Sequence, residues 1–218
     1  MEHILKFLKA VGKNNNRDWF EKNKPTYLKA KEGFDDFLEG LHKELVRFDE
    51  SLANVNPRKA AFRIYRDVRF SKDKRPYKTN MGAGFSEHGK MEQEPGYYIH
   101  VEPGKSFVAG GLYMPSPENL AKIRQEIDYN ADRLLKILKE KKFKSYFPKG
   151  LDDWDKLKTM PKGYAKDHPY IDLLKNKSFT VSHEFNDADV TSKTFVKKVA
   201  DGCKLIKPLN DYLLEAIS

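Results

Sequence analysis

The turn at Glu102-Pro103-Gly104-Lys105 constrains the fold of this chain more than any other feature of its sequence. Proline presets the backbone at the second position of a tight turn, and glycine supplies the positive φ that the reversal needs. Strand-like segments, residues 97–101 and 106–113, flank the turn on both sides. The sequence therefore predicts an antiparallel hairpin here.

The same turn predicts which side chains of the hairpin share a face. In the register that it sets, Ile99 faces Val108 and His100 faces Phe107. Side chains alternate along a strand, so the hairpin has one apolar face and one aromatic and polar face. The apolar set is Ile99, Val101 and Val108, and the polar set is Tyr98, His100 and Glu102. The apolar face suits packing against helices, and the polar face is a candidate ligand surface.

Helical patterns occupy both ends of the chain. Apolar residues from 27 to 48 recur at helical spacing behind Pro25, and residues 14–20 predict a capped helical turn. Ser116-Pro117-Glu118 opens another helix, and residues 195–213 predict a C-terminal one that Pro208 should bend or split. The expected fold is a single α+β domain over residues 1–218. Its central, mostly antiparallel sheet holds the hairpin and the segment beginning at Phe62, packed by N- and C-terminal helices.

Positive charge is concentrated in residues 62–80, which we call the basic segment. It holds seven basic and two acidic residues, a net +5 out of the formal +9 of the 218-residue chain. Such a local excess favours an anionic partner. Read as a strand, Phe62–Phe70 would place Arg66 alone on an otherwise apolar, buried face. An unpaired buried charge is very costly, so we expect Arg66 to pair with an acid or a bound anion.

Two interpretations of the basic segment remain open at this point. In the functional one it forms an anion pocket, with arginines as fork-shaped donors and lysines as point charges. The candidate ligand-binding residues are Arg63, Arg66, Arg69, Lys72, Lys78, Tyr98 and His100. In the alternative, the segment is solvated and its arginines pair with Asp67, Asp73 and scattered glutamates.

His100, with Tyr98 and Glu102, is a candidate for acid–base catalysis because imidazole titrates near neutral pH. The competing interpretation is a hydrogen-bonded histidine in a sheet. No metal site is expected, since the six histidines contain no His-x-x-x-His pair and one cysteine cannot build a cysteine-rich zinc site. The sequence contains neither of the Gly-rich nucleotide-binding motifs Gly-x-x-x-x-Gly-Lys-Ser/Thr and Gly-x-Gly-x-x-Gly, and it indicates no cofactor.

Several motifs resemble one protein family across nearly the whole chain. They are Asn-Asn-Asn-Arg-Asp-Trp-Phe at 14–20, the run Phe62–Thr79, Gly-Tyr-Tyr-Ile-His-Val-Glu-Pro-Gly at 96–104, Gly-Gly-Leu-Tyr-Met-Pro at 110–115, and Asp-His-Pro at 167–169 with Leu-Leu-Lys at 173–175. Together, and in this order, they resemble the domain of unknown function 2461 family. The resemblance implies a single α+β domain and assigns no activity, cofactor or catalytic residue.

The sequence favours a cytoplasmic protein that binds a small phosphate- or carboxylate-bearing ligand. If the protein is an enzyme, it acts on that ligand. No membrane partner is expected, because no run of residues is apolar enough to cross a bilayer. One alternative is a nucleic-acid-binding module with Tyr65 or Tyr77 stacking on bases. Its phosphate contacts would be Arg63, Arg69, Lys72, Lys74, Arg75 and Lys78. A protein-interaction module is the other alternative, and substrate, reaction and oligomeric state stay open.

Overall fold

A four-stranded antiparallel sheet lies at the centre of the molecule, in the order β1-β2-β3-β4. The structure, a computed structural model, describes residues 1–91 and 93–218. The strands are β1 (Met81–Phe85), β2 (Gly96–Val101), β3 (Ser106–Leu112) and β4 (Phe179–Phe185). The predicted hairpin is confirmed as β2 and β3, with Ile99 opposite Val108 and His100 opposite Phe107.

Nine α-helices and one 3₁₀ turn (Glu50–Leu52) surround this sheet in the described part of the chain. The helices are α1 (Glu2–Lys13), α2 (Arg17–Lys22), α3 (Lys24–Val46), α4 (Pro57–Ala60), α5 (Pro117–Lys139), α6 (Lys141–Tyr146), α7 (Ile171–Leu174), α8 (Asp187–Thr191) and α9 (Phe195–Ile217). The predicted caps are confirmed, since Asn16 and Ser116 each accept a backbone hydrogen bond at the start of α2 and α5. The predicted α+β fold is confirmed with them.

Helix α9 packs across β3 and β2 and is flanked by α3 and α5. Ile99, Val101 and Val108 lie on the covered face and are fully buried. The helix is not split at Pro208. Burial of its apolar side, which includes Ile206, offsets the loss of the backbone hydrogen bond that proline cannot make. The opposite face of the sheet carries the partly exposed Tyr98 and its polar neighbours, as predicted. We call it the open face.

The prediction of a strand over Phe62–Phe70 is wrong. Ala61, the residue before the basic segment, forms an isolated bridge with Ala83 of β1, and the segment forms a second bridge within itself, Tyr65 with Tyr77. Phe70, expected on a buried face, is 96% exposed. The physical reason is local: Asp67 and Asp73 each accept a hydrogen bond from the backbone N–H two residues later, which favours turns over a strand ladder.

Two strands of the sheet were not predicted from the sequence. Strand β1 reads Met-Gly-Ala-Gly-Phe, and its two glycines weaken any strand pattern. Strand β4 reaches β3 only after a long excursion through α5, α6 and α7. Its pairing with β3 is a tertiary contact that local sequence does not encode. Together these strands turn the predicted hairpin into a sheet with a broad open face.

Candidate functional site

A row of hydrogen-bonded side chains runs along β2 on the open face. The hydroxyl of Tyr98 lies 3.0 Å from Nδ1 of His100, and Nε2 of His100 lies 3.1 Å from Oε2 of Glu102. Thr79 donates to the other carboxylate oxygen of Glu102 at 2.6 Å, and the Asn80 amide lies 3.4 Å from Nδ1 of His100. The three residues that were catalytic candidates in the sequence are therefore linked by hydrogen bonds.

The partners of His100 assign its tautomer. Tyr98 and Asn80 are donors that meet at Nδ1, so Nδ1 accepts, and Nε2–H donates to Glu102. Burial lowers the pKa of His100 and outweighs the opposing pull of the Glu102 carboxylate, while nearby Lys78 lowers it further. The imidazole is therefore neutral at neutral pH. It can accept a proton at Nδ1 while Glu102 stabilises the resulting charge.

Tyr98 and Glu102, the two partners of His100, are held in opposite protonation states. Burial, the charge of Glu102 and a neighbouring Tyr113 raise the pKa of Tyr98 to about 12, so its phenol is protonated. Burial pushes the pKa of Glu102 upward, but hydrogen bonds from Thr79 and His100 outweigh it and leave this pKa below its usual value. The row thus consists of a protonated phenol, a neutral imidazole and a carboxylate, an arrangement suited to proton transfer.

Small residues on β1 make room for this row. Gly82 lies opposite His100, and a Cβ at Gly82 would stand 2.7 Å from the hydroxyl of Tyr98. On β3, the ring of Phe107 stacks on His100 with centroids 4.7 Å apart and orients the imidazole. Gly82, Thr79 and Asn80 were not singled out in the sequence, whereas Phe107 was predicted to face His100. The three missed residues depend on β1 and on the end of the basic segment.

Lys78 brings positive charge to the site from the basic segment. Its ammonium lies 5.7 Å from the ring centroid of Phe62, and that ring is 6.1 Å from the ring of Tyr98. Burial, helped by the nearby charge of Arg63, lowers the pKa of Lys78. Within residues 1–91 and 93–218, neither Lys78 nor Arg63 forms an ion pair with a carboxylate. A cation with these surroundings is suited to receive an anionic group.

Arg66 is paired with an acid, as expected, and the acid belongs to the same segment. Its Nη1 lies 2.8 Å from Asp73 and donates to the carbonyl of Arg75 at 3.0 Å, and its side chain is 24% exposed. Asp73 also holds Arg75, and these two arginines keep the pKa of Asp73 well below its ordinary value. The guanidinium of Arg66 is therefore largely committed to a structural contact.

Arg69 and Lys72 stand apart from the row on β2. The guanidinium of Arg69 lies 2.6 Å from Asp67 in an exposed ion pair, and hydrogen bonds from Arg69 hold the pKa of Asp67 below its usual value. Lys72 is exposed in the turn between Asp67 and Asp73. Of the sequence-predicted ligand residues, the structure brings together Tyr98, His100 and Lys78, with Arg63 beside them, and gives Arg66 and Arg69 internal partners.

Among the described residues, no three His, Cys, Asp or Glu side chains are grouped so as to hold a metal ion. In the same part of the chain, no helix has the length and apolar character needed to span a membrane.

The comparisons with known proteins agree with the resemblance in the motifs. Residues 3–212 match the family described as "Conserved hypothetical protein (DUF2461)". No curated protein and no solved structure matches the chain. Because the family match covers nearly the whole length, and includes both the basic segment and the Tyr98–His100–Glu102 row, this chain belongs to the DUF2461 family.

Proposed function

We propose that this protein binds a small phosphate- or carboxylate-bearing ligand on the open face and transfers a proton to or from it. The observation that carries the proposal is the row from Tyr98 through His100 to Glu102, beside a lysine with no described carboxylate partner. Lys78 would receive the anionic group. Tyr98 and His100 would contact the part of the ligand that changes protonation state.

The chemistry follows from the order of the pKa values. Burial raises the pKa of Tyr98 to about 12 and lowers the pKa of His100, so the proton stays on the phenol and Tyr98 donates a hydrogen bond in the resting site. A ligand atom that becomes negative beside Tyr98 is stabilised by this donor. If the phenol gives up its proton, His100 can replace it from Nδ1 only after gaining a proton itself, and Glu102 stabilises that imidazolium.

The contacts of the basic segment support a small ligand over a nucleic acid. Tyr77, a candidate for stacking on bases, is buried and stacks on Phe20 with centroids 3.9 Å apart. Arg69 and Arg75, two of the expected phosphate contacts, are held by aspartates two residues away. These ion pairs reduce the charge that a polymer would meet. The free and buried Cys203 is compatible with a reducing compartment, and the proposal places the protein in the cytoplasm.

Binding of inorganic phosphate and acetate, measured by calorimetry and by the shift in melting temperature, tests the proposal. A ligand that binds the folded state raises the melting temperature as its concentration exceeds the dissociation constant. Lys78→Gln should abolish the shift. Lys74→Gln is the matched control, because it removes one lysine of the same segment whose ammonium donates to the carbonyl of Val68.

A single-stranded oligonucleotide provides the competing outcome. Tight binding with a steep salt dependence, lost in the double variant Lys72→Ala/Lys74→Ala and retained in Lys78→Gln, would overturn the proposal in favour of the nucleic-acid module. If neither the two anions nor the oligonucleotide changes the melting temperature, a protein-interaction module would be favoured instead. For proton transfer, His100→Gln should retain anion binding while losing turnover of any substrate that is found.

A further inference from the structure

We propose that the ligand of this site carries a planar aromatic ring in addition to its anionic group, and that Tyr113 and Trp154 receive the ring. This inference rests on the proposed function and narrows it to one ligand class. The rings of Tyr113 and Trp154 stack with centroids 5.4 Å apart and planes 26° apart. They remain 56% and 57% exposed. Aromatic rings held in water in this way are typical of binding surfaces.

Trp154 is held in place by the residues on either side of it. Asp152 accepts hydrogen bonds from Thr180 and Ser182 at 2.8 Å each, and its backbone N–H donates to the carbonyl of Thr180. Asp155 accepts from Ser178 at 2.7 Å. Three hydroxyls of one stretch of chain thus anchor both sides of an exposed tryptophan. Pre-organisation of this kind lowers the entropic cost of binding a ring.

The anchored loop lies beside the Tyr98–His100–Glu102 row. Ser182 of β4 is opposite Ala109 of β3, and Ala109 is opposite Tyr98 of β2, so one line of side chains crosses the open face. Asp152 binds the Ser182 end of that line. Tyr113 directly follows β3, stacks on Trp154, and is close enough to Tyr98 to contribute to the rise in its pKa. Between Tyr98 and Ser182 lies the small side chain of Ala109.

Backbone strain marks the same edge of the site. In the described residues, three positions other than glycine have positive φ: Met91, Gln93 and Met114. Met114 directly follows Tyr113 and is held by a hydrogen bond from its N–H to Ser178, the residue that also binds Asp155. Positive φ at such residues is strained and is concentrated at ligand sites. A hydrogen bond to Ser178 thus holds the backbone directly after Tyr113.

These contacts divide the open face into two ends with different chemistry. Lys78 and Arg63 lie at the cationic end, near Phe62, and Tyr113 with Trp154 forms an aromatic end across Tyr98. An aryl phosphate or aryl carboxylate matches both ends, since its anion meets the lysine and its ring stacks on the aromatic pair. An aliphatic anion would leave the aromatic pair in water. This complementarity favours an aromatic ligand over an aliphatic one.

Methyl phosphate and phenyl phosphate form the matched pair of probes, since they differ in the ring alone. The protein should carry Trp19→Phe, so that Trp154 is the single remaining tryptophan and its fluorescence reports on the site. We expect phenyl phosphate to bind about fivefold to tenfold more tightly than methyl phosphate and to quench Trp154. Trp154→Leu, followed by calorimetry, should remove that advantage and leave the affinity for methyl phosphate unchanged.

Tyr129→Leu on α5 is the control for loss of an exposed aromatic ring, and it should leave both affinities unchanged. Tyr113→Leu is the second variant, and it should act as Trp154→Leu does. Equal affinity for the two phosphates, or a phenyl advantage that survives Trp154→Leu and Tyr113→Leu, would overturn this inference while leaving the proposed function intact. Failure of both compounds to bind would overturn the proposed function, and this inference with it.

Discussion

The side chain of Asn15 exchanges two hydrogen bonds with the backbone of Tyr77, 62 positions later in the chain. Asn15 Nδ2 donates to the Tyr77 carbonyl at 2.9 Å, and the Tyr77 N–H donates to Asn15 Oδ1 at 3.0 Å. The side-chain amide thereby pairs with the backbone near the end of the basic segment, as a neighbouring strand would. Because Lys78 and Thr79 come next in the chain, this contact holds them beside the site.

Asn15→Ala should destabilise the fold and weaken anion binding together. Removing the amide leaves an N–H and a carbonyl of a buried residue without partners, which should lower the free energy of unfolding by about 1–3 kcal/mol. Urea denaturation measures this change. Asn54→Ala is the control, since Asn54 is exposed and its substitution should have little effect. Unchanged stability in Asn15→Ala would show that water replaces the amide.

Stability should depend on pH through His100. Burial lowers the pKa of His100 from its ordinary value of 6.5, so near that pH the unfolded chain binds this proton more readily than the folded protein. The free energy of unfolding should therefore fall as the pH drops below about 6.5. His100→Gln should reduce the loss measured between about pH 7.5 and about pH 5 by urea denaturation.

His88 supplies a comparison of opposite sign. A hydrogen bond with Glu94 raises the pKa of His88, so its contribution to stability is present below 6.5 and is lost as the pH rises. His88→Gln should therefore enlarge the loss of stability on acidification, whereas His100→Gln should diminish it. Changes of the same sign in the two variants would contradict the assignment of a buried, neutral His100.

The arginines of the basic segment should differ in their contribution to stability. Arg66→Met removes a hydrogen bond to the carbonyl of Arg75 from a side chain that is mostly buried, and should lower the free energy of unfolding by about 1 kcal/mol. Arg69→Met removes an exposed ion pair and should leave stability unchanged within error. Thermal and urea denaturation measure both. A larger loss of stability in Arg69→Met than in Arg66→Met would indicate that the ion pair of Arg69 with Asp67 orders the turn.

Two glycines should respond oppositely to alanine. Gly111 has φ +113°, and a Cβ there would lie 2.0 Å from the carbonyl oxygen of Phe179, so Gly111→Ala should break the β3–β4 pairing. Gly40 lies inside α3, where the nearest atom to a new Cβ is 3.7 Å away, so Gly40→Ala should stabilise by about 0.5–1 kcal/mol. Melting temperatures check both signs, and a tolerated Gly111→Ala would mean that β4 can shift.

Features that depend on neighbours in sequence were predictable. The Pro-Gly turn determines the hairpin register, and alternation then assigns Tyr98 and His100 to one face, as the structure confirms. Capping by Asn16 and Ser116 is likewise local, because a cap bonds to a backbone group three residues away. The polar row on β2 was therefore visible as a candidate, although its hydrogen bonds were not.

The hairpin, its polar face and the concentration of charge in the basic segment follow from residues that are close together in the sequence. Which of those charges reaches the site depends on tertiary contacts. Aspartates two residues away capture Arg69 and Arg75, and Asp73 also takes Arg66, whereas Asn15 positions the chain at Lys78. Alternation along a strand cannot foresee this outcome. A side chain that bonds to nearby backbone competes with the strand ladder, and a contact spanning 62 residues leaves no periodic signal in the sequence.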